Sequence, residues 1–143
     1  MSYACIAQSY VQNYLMPSEV LGSSVVKVHL TQSNVNPNPS NTLAVYQAAE
    51  CTDSRWYAAT SCTLTATLQQ ADNSIAQEGY VHFPGVTTSG SAQTIYQYYI
   101  TDSASANLIA SGNLPSPVVM SSALNYVDVD VDAMLAIPAI PQA

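Results

Sequence analysis

Apolar and polar residues alternate along much of this chain, and the alternation predicts β-strands. In residues 126–135, three valines at every second position alternate with three aspartates, so one face of this strand is apolar and the other acidic. Residues 61–70 alternate in the same way, with Leu64, Ala66 and Leu68 on one face and threonines on the other. Residues 93–102 (QTIYQYYITD) carry bulky side chains on both faces. That pattern is typical of a central strand, or of a strand covered by a neighbouring subunit.

Three more strands are predicted, at residues 25–30, 78–84 and 108–114. We expect the last of these to end at Pro115 and Pro117, because proline cannot donate a hydrogen bond to a neighbouring strand. Segments rich in Asn, Pro, Gly, Ser and Thr predict loops between the strands, notably at 34–41 and 85–92.

Residues 42–50 are ambiguous. Leu43, Tyr46 and Ala49 have helical spacing, but the segment is short for a helix, so one or two helical turns remain an open alternative here.

Many short strands at roughly ten-residue spacing predict an all-β domain, a single antiparallel β-sandwich or β-barrel. We assign residues 25–137 to this domain, 1–24 to an extended N-terminal arm or linker, and 138–143 to an extended C-terminal tail whose prolines do not join a sheet. An apolar arm of this kind lies either against its own core or against a neighbouring subunit.

The balance of basic and acidic side chains limits the classes of partner that this protein can be expected to bind. The 143 residues contain two basic side chains, Lys27 and Arg55, against nine carboxylates, for a formal net charge of −7. Two separate cations do not form a phosphate-binding patch, so nucleic acid is not expected as a partner. No apolar run approaches the ~18 residues needed to cross a bilayer, so no membrane association is expected, and the first 16 residues do not resemble a secretory signal.

Cys5, Cys51 and Cys62 are too few and too widely spaced for a disulfide framework or a zinc site. A bridge between Cys51 and Cys62 requires that they lie on neighbouring strands. We expect three reduced thiols.

Candidate chemistry is sparse. His29 and His82 both fall inside predicted strands, where we expect hydrogen-bonded strand residues, and no motif of a nucleophile, a metalloprotease or a phosphate-binding loop occurs. We therefore predict a protein that is not an enzyme, with no catalytic, cofactor-binding or metal-binding residues.

Three carboxylates on one strand face, Asp128, Asp130 and Asp132, suggest a calcium-binding site as an alternative to a solvated face. Alternate residues on a strand lie about 6.6–7 Å apart, too far to share one ion, so we expect a solvated face.

Tyrosine occurs ten times, whereas Phe and Trp occur once each. Tyrosine is favoured in protein interfaces and in sugar-binding sites, because it combines a large contact area with a polar tip. Subunit or core packing is the first interpretation, and a sugar platform at Trp56 is the alternative. The candidate interface residues are Tyr3, Tyr10, Tyr14, Leu15, Trp56, Tyr96, Tyr98 and Tyr99.

The order of these segments resembles a diffuse group of small virion-associated proteins encoded by tailed bacteriophages. The resemblance runs from about Val25 to Leu135, and its most specific part is QTIYQYYITD. Two departures are that Gln97 stands where a glycine is common and that the arm before Val25 is not part of the pattern. The other matching features are KVHLTQSNVNP, LAVYQAAE, the pair Trp56 and Tyr57, LIASGNLPSP and VDVDVDAML.

This resemblance implies a virion accessory protein, and a capsid cement or decoration protein is the favoured version. It implies binding to the major capsid protein and to copies of itself, with a homotrimer as the expected oligomer. The expected location is the capsid surface of the virion, after synthesis in the host cytoplasm. A tail- or fibre-associated component and a carbohydrate-binding adhesion module are the alternatives.

Overall fold

The computed structural model describes residues 5–6, 23–36, 38–69, 74–131 and 137–138, and it describes side chains for 25–36, 38–64 and 79–131. These residues form strands and one short helix. Their bounds are β1 Cys5–Ile6, β2 Ser23–Thr31, α1 Leu43–Ala49, β3 Thr60–Gln69, β4 Ser74–Phe83, β5 Gln93–Asp102, β6 Leu108–Met120, β7 Val127–Val131 and β8 Ile137–Pro138.

The strands are ordered β1-β6-β5-β2-β3-β4-β7, and β8 pairs with β4. Every one of these pairs is antiparallel, so the predicted all-β antiparallel class is confirmed. In β1, Cys5 lies opposite Ser111 and Ile6 opposite Ala110. This part of the predicted arm therefore lies on the chain's own sheet. Ser23 and Ser24 begin β2, and the rest of residues 1–24 lies outside the described residues.

Strand β5 has the bounds that the sequence predicts. It lies between β6 and β2, and its residues 97–101 are all buried, as expected for a central strand covered on both sides. A bulge interrupts the simple alternation. The pairing shifts between Ile95 and Gln97, so Ile95 joins the cluster that contains Tyr98 and not the one that contains Tyr99.

Apolar side chains cover the sheet on both sides, but unequally. The larger cluster combines inward-facing residues from β2 to β7 with residues of the loops, and burial of each large member stabilises the fold by about 1.5–3 kcal/mol. The smaller cluster lies under α1 and consists of Tyr46, Tyr99 and Leu108, with Val35 and Leu43 packed against it. The second side is more polar, since His29, Thr31 and Gln97 are buried there.

Helix α1 settles the ambiguity of residues 42–50 in favour of a helix of seven residues. A helix this short is not stable in isolation, so packing must hold it. Tyr46 and Ala49, three residues apart, are its buried residues. The helix ends at Glu50, whose backbone is extended, with φ −61° and ψ 145°.

Strand β6 corrects the sequence prediction, because it continues past both prolines to Met120. Asn113 lies opposite Gln97, and the next paired residue on β6 is Val118, which lies opposite Ile95. Residues 114–117 therefore face Tyr96 alone, in a large bulge. Pro115 and Pro117 fall in this bulge, where no hydrogen bond to β5 is needed, so the strand resumes after them.

Near the C-terminus, β7 shows the predicted alternation, with three buried valines and exposed Asp128 and Asp130. Asp132 lies outside the described residues. The expected unpaired tail is wrong at its first residue, since Ile137 and Pro138 lie opposite Ile75 and Ser74 of β4. In the part of the chain that is described, no helix is long and apolar enough to cross a membrane.

Candidate functional site

A dense group of polar side chains lies where α1 meets β2, around Glu50. The backbone brings this residue to the sheet, because Glu50 forms an isolated bridge with Thr31. On either side of it, the amide of Gln32 donates to the carbonyl of Ala49 at 2.9 Å, and the amide of Cys51 donates to the carbonyl of Leu30 at 2.8 Å. The Glu50 carboxylate is thus held at the face of the sheet under α1.

Three side chains converge on the Glu50 carboxylate. Tyr57 donates its hydroxyl to Oε1 at 2.6 Å, and His29 Nδ1 lies 2.8 Å from the same oxygen. Tyr99 donates its hydroxyl to Oε2 at 2.9 Å. On its other side, His29 Nε2 lies 2.9 Å from Thr101 Oγ1, and the imidazole stacks on Tyr99 with ring centroids 4.4 Å apart. We call Glu50, His29, Tyr57, Tyr99 and Thr101 the Glu50 network.

These contacts keep Glu50 ionised. Burial raises the pKa of the carboxyl group, but the hydrogen bonds from His29, Tyr57 and Tyr99 outweigh burial and hold the pKa below its ordinary value of 4.5. Burial and the hydrogen bond to the carboxylate raise the pKa of Tyr57 and of Tyr99. Both tyrosines therefore remain neutral donors to a negative charge.

Thr101, His29 and Glu50 have the order of hydroxyl, imidazole and carboxylate that activates nucleophiles in hydrolases. In this arrangement, however, the hydroxyl and the imidazole are not accessible from solvent. Thr101 is fully buried and His29 nearly so, and the Thr101 hydroxyl also donates to the carbonyl of Asp102 at 2.9 Å. A substrate cannot reach Thr101 Oγ1 in this conformation. The network instead connects β2, β5, α1 and the segment that contains Tyr57.

Gln97, the residue that stands where the phage-protein pattern has a glycine, has a structural role on the same face. Its side chain is buried and forms hydrogen bonds in both directions with the backbone of Val35. It also donates to Asn113 Oδ1 at 2.7 Å. Gln97 therefore connects the loop after β2 to β5 and β6, which a glycine cannot do.

A second histidine–carboxylate pair lies on the outer face of β4 and β7. His82 Nδ1 lies 2.6 Å from Asp128 Oδ1, and Tyr80 donates its hydroxyl to the same oxygen at 2.8 Å. The ring of Tyr126 lies 5.4 Å from that of His82. Tyr80 and Tyr126 are both more than half exposed. We call Tyr80, His82, Tyr126 and Asp128, together with the exposed Leu124 of the turn two residues before Tyr126, the outer patch.

Both histidines thus lie in strands with satisfied side chains, as the sequence predicts. The aspartates of β7 are exposed, and Asp128 is engaged by His82 and Tyr80. Among the described residues, no group of three or more His, Cys, Asp or Glu side chains is placed to hold a metal ion.

Several candidate interface residues are not available for contact with a partner. Trp56, Tyr98 and Tyr99 are buried inside the chain's own fold, so the prediction that they form an interface needs correction, and Trp56 is not an exposed sugar platform. Alternation alone does not reveal that both faces of β5 are covered from within. Tyr96 is half-buried. The remaining candidates, Tyr3, Tyr10, Tyr14 and Leu15, lie outside the described residues.

Cys51 and Cys62 are free and buried in the larger apolar cluster. Burial raises the pKa of both thiols, so both are expected to be poorly reactive.

A cleft of about 290 Å³ opens between the bulge of β6 and strand β7. Tyr98, Leu114 and Val129 form its inner lining, and the side chains at its rim are Asn113, Pro115, Asp128 and Asp130. We call it the β6–β7 cleft.

Of the two cations, Arg55 is occupied internally. It forms an ion pair with Asp53 at 2.5 Å and donates to the carbonyls of Thr88 and Ser91. Hydrogen bonding to Arg55 lowers the pKa of Asp53 to about 2. A Cβ atom at Gly90 would collide with the guanidinium group, so the glycine allows this loop to close over Arg55.

Comparisons with protein-family models, with curated proteins and with solved structures found no match for this chain.

Sequence analysis missed Glu50 and Tyr57 as members of a site. The available signal was weak: LAVYQAAE and the Trp56–Tyr57 pair both stand out in the sequence, but neither indicates that they meet at one carboxylate. His29, Glu50 and Thr101 are 21 and 51 positions apart along the chain, and only the strand register brings them together.

Proposed function

We propose that this protein is a non-enzymatic structural component of a virus particle, a capsid cement or decoration protein that stabilises the shell by binding between capsid subunits. One observation carries the proposal. The Glu50 network, which contains the groups with the greatest catalytic potential, is largely buried, with the Glu50 side chain 27% exposed, and it is hydrogen-bonded within the fold. The exposed surface offers hydroxyl, amide, aromatic and aliphatic groups with little charge.

The exposed surface supports a role in contact with other proteins. Arg55 is occupied by Asp53 and by backbone carbonyls, so Lys27 is the other cation of the whole sequence. A weakly charged surface loses little hydration energy when another protein covers it. Apolar and aromatic side chains lie exposed on this surface: Val25, Val45, Tyr80, Val119, Leu124 and Tyr126.

The outer patch is the contact surface we favour. It combines two exposed tyrosines with Leu124, which is 87% exposed. Asp128 and Asp130 give this area negative charge, so two copies of the same patch repel each other. The natural partner of the outer patch is therefore a different surface, which we assign to the major capsid protein. Contacts between copies, in a homotrimer, would use other parts of the chain.

The location follows from this role: the capsid surface of the virion, with synthesis in the host cytoplasm. A tail- or fibre-associated position is the alternative within the same class of function. The number of copies in each particle distinguishes the shell position from the tail position. Quantitative mass spectrometry of purified virions should find several hundred copies in each particle if the protein is shell cement, and a dozen or fewer if it belongs to the tail or neck. Absence from purified virions would refute both.

A binding experiment tests the contact surface. Particles produced without this protein are mixed with the purified chain, and occupancy is measured after sedimentation. We expect Leu124→Ser combined with Tyr126→Ala to reduce occupancy at least tenfold, without change in the thermal denaturation of the free chain, since both side chains are exposed. Val45→Ser, on the exposed side of α1, is the matched control and should bind normally. Full binding by the double variant would exclude the outer patch as the contact.

A further inference from the structure

A buried tyrosine extends its side chain to the β6–β7 cleft. Tyr98 is 4% exposed, and Gly112 lies directly opposite it in the β5–β6 pair. A Cβ atom at Gly112 would come within 2.6 Å of the Tyr98 hydroxyl oxygen, so the end of the ring lies over β6. The ring thus runs from β5 across β6 and brings its hydroxyl to the cleft that Tyr98 lines.

The hydroxyl of Tyr98 differs from those of the other buried tyrosines. Tyr46 forms a hydrogen bond with Ser111 at 2.7 Å, and Tyr99 donates to Glu50 at 2.9 Å. In the part of the chain that is described, the Tyr98 hydroxyl has no such partner. Buried tyrosine hydroxyls normally form a hydrogen bond. An unpaired one at the wall of a cleft indicates that a group from outside the chain completes it.

Negative charge lies next to this hydroxyl. Burial, and then the negative charge of Asp130, raise the pKa of Tyr98, so the exposed carboxylate at the rim acts on the hydroxyl. The sequence contains two basic side chains, and neither lines the cleft. Arg55 is held by Asp53, and Lys27 lies on β2, opposite Thr101 of β5. A basic side chain that meets Asp130 in the cleft therefore belongs to another molecule.

The remaining walls are apolar and the volume is small. Leu114 and Val129 are buried, and Pro115 lies at the rim. Pockets for organic ligands usually measure about 300–1,000 Å³, and the cleft, at about 290 Å³, lies just below that range. A single side chain with an apolar stem fits these walls better than a larger ligand.

Lysine has the matching chemistry. Its ammonium group is a compact charge with three donors, carried on a flexible stem of four methylene groups. Such a stem packs along apolar surface while the charged end keeps polar partners. The planar guanidinium group of arginine is suited to two parallel hydrogen bonds with one carboxylate. The inner end of this cleft offers instead a single hydroxyl oxygen with a carboxylate near it.

We propose that the β6–β7 cleft binds a lysine side chain of a protein partner. The ammonium group donates to the hydroxyl oxygen of Tyr98 and to the carboxylate of Asp130, and the stem packs against Leu114. Asp128 belongs both to this cleft and to the outer patch, so one partner can cover both. The inference deepens the proposed function and rests on it only for the identity of the partner as a capsid protein.

A titration of the isolated chain tests the cleft directly. The probe is Nα-acetyl-lysine N-methylamide, and binding is followed by NMR at the amides of Leu114, Val129 and Asp130. We expect saturable shifts with a dissociation constant in the millimolar range. The same probe acetylated on Nε keeps the stem but loses the charge, and it should bind at least about tenfold more weakly. The corresponding arginine probe should bind at least about threefold more weakly.

Two variants examine the polar partners. Asp130→Asn should weaken binding of the lysine probe at least about fivefold, and Tyr98→Phe at least about threefold. The thermal midpoint of Tyr98→Phe should equal that of the unsubstituted chain, because this hydroxyl has no hydrogen bond to lose in the free protein. The matched control is Asp102→Asn, which removes the same charge at the end of β5 and should bind the probe normally.

Several results would overturn the proposal. They are shifts of equal size with the acetylated probe, full affinity in either variant, and an arginine probe that binds at least as tightly as the lysine probe. A loss of thermal stability in Tyr98→Phe as large as that in Tyr99→Phe would show that the hydroxyl has an internal partner, and it would refute the proposal equally. Failure of lysine binding leaves the virion role standing, because copy number in purified virions tests that role without reference to this cleft.

Discussion

The protein contains two histidine–carboxylate pairs of nearly equal geometry in very different surroundings. His29 Nδ1 lies 2.8 Å from Glu50, and His82 Nδ1 lies 2.6 Å from Asp128. A tyrosine also donates to each carboxylate at a similar distance, 2.9 Å from Tyr99 and 2.8 Å from Tyr80. The side chains of the first pair are 6% and 27% exposed, and those of the second are 50% and 39% exposed.

Contact distances alone do not give the energetic role of such a pair. At the exposed pair, water competes for every hydrogen bond and salt screens the charges. The pair therefore contributes little to the free energy of unfolding. At the more buried pair, removal of the carboxylate leaves an imidazole and two hydroxyls without their carboxylate partner, where access to water is limited, which is costly. The same chemistry therefore stabilises the fold at Glu50 and remains available to an external partner at Asp128.

The largest expected effect is that of Glu50→Gln. The substitution preserves shape but removes the charge and turns an amide donor toward groups that already donate. We expect the free energy of unfolding to fall by about 3 kcal/mol, as for other broken buried pairs. Chemical denaturation followed by circular dichroism measures it. A loss below about 0.5 kcal/mol would place Glu50 in the same class as a surface residue.

Acid should destabilise the protein through the same carboxylate. The folded pKa of Glu50 lies below its ordinary value of 4.5, so its contribution is fully present above pH 4.5 and is lost as the pH falls through the folded pKa. Asp102, whose pKa is also lowered, because its hydrogen bonds to Asn107 and Ala106 outweigh the effect of burial, adds to this loss. Denaturation midpoints measured from pH 6 to pH 3 should fall, and more shallowly in Glu50→Gln. Equal slopes in both proteins would contradict the assignment.

Removal of one donor at each pair gives a matched comparison. Tyr99→Phe deletes a hydroxyl that donates to a partly buried charge, and we expect a loss of about 1.5 kcal/mol in the free energy of unfolding. Tyr80→Phe deletes the equivalent hydroxyl at the exposed pair and should leave the thermal midpoint unchanged. Similar losses for the two variants would show that exposure does not control the strength of these hydrogen bonds.

Asp128→Asn should have the smallest effect. We expect less than about 0.5 kcal/mol in the free energy of unfolding, since exposed ion pairs contribute little. Addition of 0.5 M NaCl should change the stability of the unsubstituted protein and of this variant equally. A loss of unfolding free energy close to that of Glu50→Gln would show that the two histidine–carboxylate pairs do not differ in their contribution to stability.

Much of the fold could be predicted because strand alternation is a local property of the sequence. Strand β5 has the predicted bounds, and the valines of β7 are buried as the alternation requires. The prediction for β6 was wrong at Pro115 because a bulge lets a strand pass through prolines, and a bulge depends on the partner strand. The same bulge changes the face to which Ile95 points relative to a simple alternation, and no local pattern reveals that change.

The Glu50 network was beyond prediction from one sequence. Glu50 ends a segment whose sequence pattern is ambiguous, and its partners come from separate strands and a loop. Tyr98 and Tyr99 were predicted as interface residues because tyrosine is common at interfaces. Whether a tyrosine is covered by its own chain or by a partner depends on what packs above the strand, here α1 above Tyr99, and alternation does not report it.

The bulge of β6 also bears on the risk of aggregation. In a β protein with few charged side chains, a strand edge that is left unpaired can add further copies edge to edge, which ends in fibres. Pro115 and Pro117 have no N–H group, so the outer edge of β6 cannot offer a full row of donors to an incoming strand. The two prolines thus interrupt the pairing of an added strand along this edge. Replacing both with valine would restore the missing N–H groups and put the chain at risk of aggregation at high concentration.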